Sequence, residues 1–122
     1  MKLVHSQFLT IAGADINATA FTSGAAQTSD PVRVNKSTGH AALLVILADT
    51  PDVDITFEVS MDNKNWYAPV DTAGTSLATI YTTLTSSAWI VFDPQVAEWI
   101  RFIIDPDADS TVSAKFIQQE GN

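Results

Sequence analysis

Apolar and polar residues alternate along much of the chain, with the period of two that a β-strand requires. The clearest case is the stretch ITFEVS, in which single polar residues separate Ile55, Phe57 and Val59. Because successive side chains of a strand point to opposite faces, this alternation predicts a strand with one buried face and one solvated face. Helical periodicity is hard to find, and the β-branched residues that favour pleated backbone dominate the apolar runs.

Eight further segments have this β-like character, and stretches rich in Gly, Pro, Asp, Asn and Ser separate them. They are LVHSQFLTI, PVRV, HAALLVILA, NWYAP, LATIYTTL, SAWIVFD, AEWIRFII and TVSAKFIQ. Together with ITFEVS they give about nine short strands at the spacing of a β-sandwich or jelly roll. The sequence therefore predicts an all-β fold, a single jelly-roll-like β-sandwich of about eight or nine strands.

One apolar run interrupts the alternation. Residues 41–48, AALLVILA, are almost wholly apolar, which predicts a strand that is covered on both faces or is buried against a partner chain. A helix of two turns is the alternative for this run.

The length of 122 residues fits one domain with a substantial core. Residues 1–30 are expected to form an N-terminal strand and an extended arm or loop, and residues 31–122 the body of the sandwich. Within the first part, residues 17–30 are small, polar and nearly aperiodic. This segment is either a disordered connection or an arm that becomes ordered against a neighbouring subunit.

The charge of the chain bears on its partners. The formal net charge is −8, and the basic residues are scattered singly along the sequence, so we expect binding to neither nucleic acid nor membrane. No stretch approaches the ~18 apolar residues of a membrane-spanning helix, and His5, Gln7 and Thr10 break the N-terminal apolar run, unlike a signal peptide. The absence of cysteine excludes disulfides, thiolate metal sites and cysteine nucleophiles.

No arrangement of residues predicts catalysis. The two histidines, His5 and His40, are far apart in sequence, and no serine lies in a G-x-S-x-G motif. Carboxylates are abundant but lie in turns, where sequence spacing does not define the separation that paired-acid hydrolysis requires. We therefore expect a protein that is not an enzyme, with no catalytic residues and no cofactor.

The stretch DPDADS places Asp105, Asp107 and Asp109 at alternate positions, as in the opening of a calcium loop. An EF-hand requires Gly at the sixth position and Glu at the twelfth, whereas this chain has Ser110 and Phe116 there. Between two β segments, Asp-Pro-Asp predicts a hairpin turn in the first place. We expect no transition-metal site and at best a weak calcium site at these three aspartates. The alternative is a calcium site shared with Asp49, Asp52 or Asp54.

The aromatic residues allow two interpretations. Trp89 and Trp99 lie among residues that a sandwich would bury, so both are expected to be largely inside. Trp66 directly follows a turn and is expected to be half exposed. The alternative is a sugar-stacking platform, which these tryptophans would form with Tyr67 and Tyr81.

The turn in SMDNKNWYAP is rich in residues that tolerate positive φ, which explains Asp62, Asn63 and Asn65 as the corner of a β-hairpin without any ligand. The pattern resembles the S-x-D-G-x-N-W hairpin of small β-sandwich proteins that are encoded among the head and tail genes of tailed bacteriophages. Asn63 stands where this motif has Gly. The residues that match are Ser60, Asp62, Asn65 and Trp66.

A second segment, AEWIRFIIDPDADSTVSAKFIQQ, resembles the terminal hairpin of the same proteins, with matches at Trp99, Ile100, Arg101 and Phe102. The two segments cover about a third of the chain. Carbohydrate-binding sandwiches also use a D-G-x-N-W hairpin, so that class of protein is an alternative.

The resemblance implies a non-enzymatic structural protein of the virion, made in the cytoplasm of the bacterial host and acting as a capsid decoration or cement protein. Its implied partners are the major capsid protein or other virion proteins, and the three-fold positions that decoration proteins occupy imply a homotrimer. The run at 41–48 and the arm at 17–30 are the segments that we expect to meet a neighbouring copy. The alternatives are a carbohydrate-binding module and a tail or fibre component involved in host adsorption. The candidate contacts with a ligand or partner are Asp62, Asn65, Trp66 and Tyr67.

Overall fold

The computed structural model describes residues 4–11, 14–15, 26–34, 37–48, 52–94, 97–107 and 112–120. The regular elements in these ranges are all β-strands, and they pair antiparallel throughout. The strands are β1 (Val4–Phe8), β2 (Thr10–Ile11), β3 (Ala14–Asp15), β4 (Gln27–Thr28), β5 (Val32–Arg33), β6 (Ser37–Leu47), β7 (Val53–Ser60), β8 (Thr79–Leu84), β9 (Ala88–Phe92), β10 (Trp99–Pro106) and β11 (Val112–Glu120). A search of the described ranges finds no helix that is long and apolar enough to cross a membrane.

The strands form two main sheets and one small hairpin. The first sheet has the order β1-β11-β6-β9, the second has the order β4-β10-β7-β8 with β5 also paired to β10, and β2 pairs with β3. Apart from the small hairpin, the chain crosses from one main sheet to the other at every step except from β4 to β5 and from β7 to β8. This alternation between two sheets is typical of a jelly roll. The prediction of an all-β, jelly-roll-like sandwich is therefore confirmed.

Most of the predicted strand segments are strands, and two need comment. NWYAP is not a strand, because only Tyr67 forms an isolated bridge, to Val59. The apolar run at 41–48 belongs largely to β6, so the alternative of a helix there is wrong. Its side chains alternate between core and surface: Leu43 is fully buried, whereas Ile46 is 46% exposed. Within one copy of the chain, this run is covered on one face.

The core lies between the two main sheets and consists of the inward residues of their strands. Phe92 joins three other phenylalanines there, with ring centroids 5.6, 5.9 and 6.1 Å apart. Each fully buried side chain of this size contributes about 1.5–3 kcal/mol through the hydrophobic effect. The largest fully buried side chains are Phe57, Phe102, Phe116, Leu9, Leu43, Ile55, Ile100, Ile104, Val45 and Val53.

The connection after β10 does not form the predicted hairpin turn. β10 lies in the second sheet and β11 in the first, so the segment that contains DPDADS crosses the sandwich. Each strand buries one face, which places the two on opposite walls of the core rather than side by side. Pro106 is the last residue of β10 and lies opposite Val53. The resemblance of this segment to a terminal hairpin is therefore wrong in that respect.

The N-terminal part contributes an edge strand to each main sheet. β1 pairs with β11, and β4 and β5 are two pieces of one interrupted strand beside β10. Between these pieces, the N–H group of buried Ser29 donates to the Phe102 carbonyl (2.8 Å), and the Ser29 Oγ accepts from the Phe102 N–H (2.9 Å). Residues 16–25, which include most of the predicted arm, lie outside the described residues.

Candidate functional site

Two side chains, Ser60 and Asp62, hold the turn that follows β7. The Ser60 Oγ accepts from the Asn63 N–H (2.9 Å) and donates to Asp62 Oδ1 (3.0 Å). Asp62 Oδ1 accepts from the N–H groups of Lys64 (2.9 Å) and Asn65 (2.8 Å), and Oδ2 accepts from the Asn65 side-chain amide (2.6 Å). Asn63 has a φ of 60°, which Asn adopts more readily than most residues. These contacts account for the polar residues of the turn without a ligand.

The same donors determine the charge of Asp62. The backbone N–H groups of Asn65 and Lys64, followed by the Asn65 side-chain amide, hold the pKa of this carboxyl well below its usual value of 3.8. Hydrogen bonds that favour the ionised form of a carboxyl have this effect. Asp62 is exposed, but both of its oxygen atoms are engaged by the turn, so its charge stabilises the loop rather than offering a vacant ligand.

Trp66 is half-buried beneath Arg101. The Arg101 guanidinium carbon lies 4.4 Å from the centroid of the indole. The same guanidinium contacts Glu58 Oε1 through Nη2 (2.7 Å) and Nε (2.8 Å), and Glu58 is directly opposite Arg101 on the paired strand. A cation stacked on an indole and paired with a carboxylate covers one face of that ring, so Trp66 is part of the sheet surface.

A shallow groove of about 240 Å³ lies beside the turn. Three of the four candidate contacts line it, namely Asp62, Asn65 and Tyr67, whereas Trp66 does not. Tyr67 is 66% exposed and Met61, which sequence reasoning did not single out, is 68% exposed. The groove therefore brings together an aromatic ring and a thioether at the corner of the second sheet.

The acidic residues of the calcium hypothesis are not assembled into a site where the structure describes them. Asp105 lies opposite Asp54 in the β10–β7 register. Asp107 is tied to Asp52, because its Oδ1 accepts from the Asp52 N–H (3.0 Å) and its own N–H donates to the Asp52 carbonyl (2.9 Å). Asp49 and Asp109 lie outside the described residues. Among the residues that are described, no group of three or more His, Cys, Asp or Glu could hold a metal ion.

The expectation that Trp89 and Trp99 are largely inside is wrong for Trp89. Trp89 is 61% exposed, because Ile90 beside it takes the inward position of β9. Trp99 is only half-buried and alternates with buried Ile100, and the Arg33 guanidinium carbon lies 5.3 Å from its ring centroid. Trp66 is half-buried, as expected. Of the three tryptophans, Trp89 alone is an exposed ring.

Trp89 belongs to an outward surface of the first sheet that we name the outer apolar face. Residues that are paired across neighbouring strands lie on the same face, so the strand register defines its twelve positions. Eight of them are apolar, three are Ser or Gln, and one is charged. They are Val4, Ser6 and Phe8 of β1, Ser113, Lys115, Ile117 and Gln119 of β11, Ala42, Leu44 and Ile46 of β6, and Trp89 and Val91 of β9.

This face contains exposed hydrophobic side chains at both edges of the sheet. Val4 on β1 is 65% exposed and Val91 on β9 is 74% exposed. Between them, a groove of about 280 Å³ passes over Ala42 and is bounded by Ile117 and Trp89. Sequence reasoning singled out the run at 41–48 but missed Val91, although the alternation in AWIVF carries that signal.

The described residues thus define a jelly-roll sandwich with one polar and one apolar outer face. No family model and no curated protein matches the chain. Among solved structures, the fold is similar to that in the crystal structure of the SPBc2 prophage-derived protein YomS, with a TM-score of 0.64 and 15% sequence identity. The match covers 98% of this chain and 96% of that chain. At this identity the likeness shows that the two chains share a fold.

Proposed function

We propose that the protein is a non-enzymatic structural component of a tailed-phage particle, and that it acts as a decoration or cement protein on the assembled head. The observation that carries this proposal is the outer apolar face, an adhesive surface on a sheet that the core holds in place. Two further observations support it: the hairpin residues that resemble those of phage β-sandwich proteins, and the fold that the chain shares with a prophage-derived protein.

Such a protein stabilises a shell by preferential binding. A component that binds the assembled form and not loose subunits shifts the equilibrium towards assembly, by about 2.7 kcal/mol for each site at a concentration 100 times its dissociation constant. Adhesion requires a surface that loses little conformational entropy on contact, and β-sheet side chains anchored on a buried core meet that requirement. The major capsid protein is the expected partner, and a homotrimer is the expected form.

The carbohydrate-binding alternative would require aromatic rings aligned on an open surface. Arg101 lies over the Trp66 ring and Arg33 over the Trp99 ring, so one exposed indole is left at Trp89 in the first sheet. The exposed rings of Tyr67 and Tyr81 lie with the second sheet and are not aligned with it. This arrangement favours adhesion between proteins over sugar stacking. A tail or fibre component would bind its neighbours through the same kind of apolar contact. The number of copies in a particle distinguishes a tail or fibre component from a head protein.

The experiment is quantitative mass spectrometry of particles purified from the phage that carries this gene, before and after deletion of the gene. We expect the protein in amounts comparable to the major capsid subunit, and we expect heads without it to release DNA at a lower temperature until purified protein is added back. A few copies that copurify with tails would assign it to the tail. Absence from particles would overturn the structural role altogether.

A further inference from the structure

The outer apolar face has the composition of the central part of a protein interface. Aromatic and aliphatic side chains are enriched in such regions and charged residues are depleted. Here the row Phe8, Lys115, Leu44 and Trp89 crosses all four strands and contains the only charge of the twelve positions. The Lys115 Nζ lies 4.8 Å from the Phe8 ring centroid, so this charge is already held against an aromatic ring.

The charge of the whole chain indicates what can cover this face. With 14 acidic and 6 basic residues, two copies repel each other over most of their surfaces. The twelve positions of the outer apolar face include no Asp and no Glu. It is therefore a surface on which two copies of an acidic chain approach each other with little repulsion and with little loss of charge hydration.

The dimensions of the face fit such a contact. Four strands ~4.8 Å apart, with outward positions over five to seven residues of ~3.3 Å each, give a projected area on the order of 300–400 Å². Protruding side chains raise the accessible area above this value, so two such faces together approach the ~1,000 Å² of a small biological contact.

The outer apolar face has both a protruding side chain and a groove, so its shape can be complementary to that of a second copy. Trp89 protrudes at one side, and beside it the groove of about 280 Å³ has the small side chain of Ala42 within its lining. That volume is slightly below the ~300–1,000 Å³ typical of small-molecule pockets and suits one large side chain. At a two-fold axis the same residues of two copies meet, and in a ring of higher symmetry one part of the face meets a different part of the next copy's face. The protruding indole and the groove are present on every copy in both cases.

We propose that the outer apolar face packs against the same face of other copies of this chain around a rotation axis, with Trp89 near the centre of the contact. This inference deepens the proposed homo-oligomer by naming its surface, and it rests on that part of the proposed function. It does not depend on the capsid, because self-association is measured on the purified protein without particles.

The test is sedimentation equilibrium of the full chain over a concentration series, with variants on and off the face. Val91→Glu places a carboxylate on the face at a position that is 74% exposed, and Val70→Glu places one at a 57% exposed position elsewhere. We expect Val91→Glu to raise the dissociation constant about 100-fold or more, because it buries an unpaired charge in the interface. Val70→Glu should leave association unchanged.

A second variant covers the case in which the glutamate perturbs β9. Trp89→Ala should weaken association at least about 30-fold if the indole is a central anchor, and circular dichroism of both variants should match that of the parent chain. A parent chain that is monomeric at about 100 µM overturns the proposal, as does an oligomer that neither face variant weakens. Both results leave the particle-binding experiment to be decided independently.

Discussion

The two outer faces of the sandwich differ in whether their side chains have interaction partners within the same chain. On the second sheet, Arg101 is paired with Glu58 and stacked on Trp66. Arg33 likewise contacts Glu98 at 2.9 Å and lies over Trp99. On the first sheet, the outward positions carry mainly aliphatic and aromatic groups, and Trp89 and Val91 extend into solvent.

This difference means that one face contributes to the stability of the fold, whereas the other has hydrophobic groups available for contact with another molecule. A face whose charges and rings are paired within the chain gains little from a partner, because a partner would have to replace contacts that already exist. A face of unpaired hydrophobic groups gains from any partner that removes them from water. The polar face therefore stabilises the single chain, whereas burial of the apolar face against a partner would lower the free energy.

The largest expected effect contrasts the two sides of β6. Leu43 is fully buried in the core, whereas Leu44 points outwards and is partly buried. Leu43→Ala should lower the free energy of unfolding by about 2–5 kcal/mol. Leu44→Ala should cost less than about 1 kcal/mol, because less apolar surface is removed from the interior.

Urea denaturation at low protein concentration measures both variants in the dissociated chain. The substitution is chemically identical at two adjacent positions, so each variant is the control for the other. Equal losses of stability would show that the outer apolar face is already covered within one chain, which contradicts the comparison.

The next effect contrasts two arginines with the same kinds of partner. Arg101 and Glu58 have side chains 30% and 27% exposed, whereas Arg33 and Glu98 are 63% and 44% exposed. Arg101→Ala should destabilise the fold by about 1–2 kcal/mol, because it removes a part-buried ion pair and a stacked cation. Arg33→Ala should cost less than about 0.5 kcal/mol, since exposed pairs contribute little. Thermal denaturation at fixed pH compares the two variants, and a reversed order would refute this account of the polar face.

The third effect concerns acid. The pKa of Asp62 is lower in the folded state than its usual value of 3.8, so the unfolded chain binds this proton more readily. The stabilisation is therefore complete above about pH 4 and decreases as the pH falls below that value towards the folded-state pKa. The difference in unfolding free energy between the parent chain and Asp62→Asn should be greatest at neutral pH and should shrink on acidification.

Lys64→Ala is the control for local charge, because Lys64 donates to Asp62 through its backbone. This variant should show the same dependence on pH as the parent chain. If the difference in unfolding free energy between the parent chain and Asp62→Asn stays constant from neutral pH to pH 2, the ionised carboxylate does not stabilise the turn.

The smallest effect concerns Lys115, the single charge on the outer apolar face. Lys115→Met should change the stability of the dissociated chain by no more than about 1 kcal/mol, because a cation over an aromatic ring near the protein surface contributes about 0.5–1 kcal/mol. The same variant should strengthen self-association several-fold, since it removes the one charge that the interface must desolvate. Lys64→Met, in the turn of the second sheet, should alter neither quantity. Weaker association of Lys115→Met would instead show that the cation is a required contact.

The local pattern of the sequence is sufficient to predict where the strands lie, but it is not sufficient to predict which strands pair. The alternation in ITFEVS predicts correctly that Ile55 and Phe57 face the core. The same rule, applied to AWIVF, places Trp89 outside with Val91, whereas the general tendency of tryptophan to be buried predicts the opposite. The period of two was thus the better guide than residue type, because a strand has no freedom to turn one side chain to the other face.

Long-range features could not be inferred from local pattern. The segment DPDADS has hairpin chemistry, but whether β10 and β11 pair depends on which strands lie beside each of them, and β7 and β6 occupy those places. In the turn after β7, the match to a known motif placed Ser60, Asp62 and Asn65 correctly. It gave no indication that Arg101 covers Trp66, since the two residues are 35 positions apart in sequence and are brought together by sheet pairing.

The position of β11 has a consequence for biosynthesis. In chain order it is the last of the described strands, yet it fills the middle of the first sheet between β1 and β6. While a ribosome is still making the preceding strands, β1 has no neighbour to pair with and β6 has an open edge, a state that invites aggregation. Closure then joins residues as distant as Val4 and Gln119, and such non-local pairing is slow. The row from Phe8 through Lys115 and Leu44 to Trp89 exists only after that step, so a nascent chain lacks the outer apolar face until β11 has been inserted.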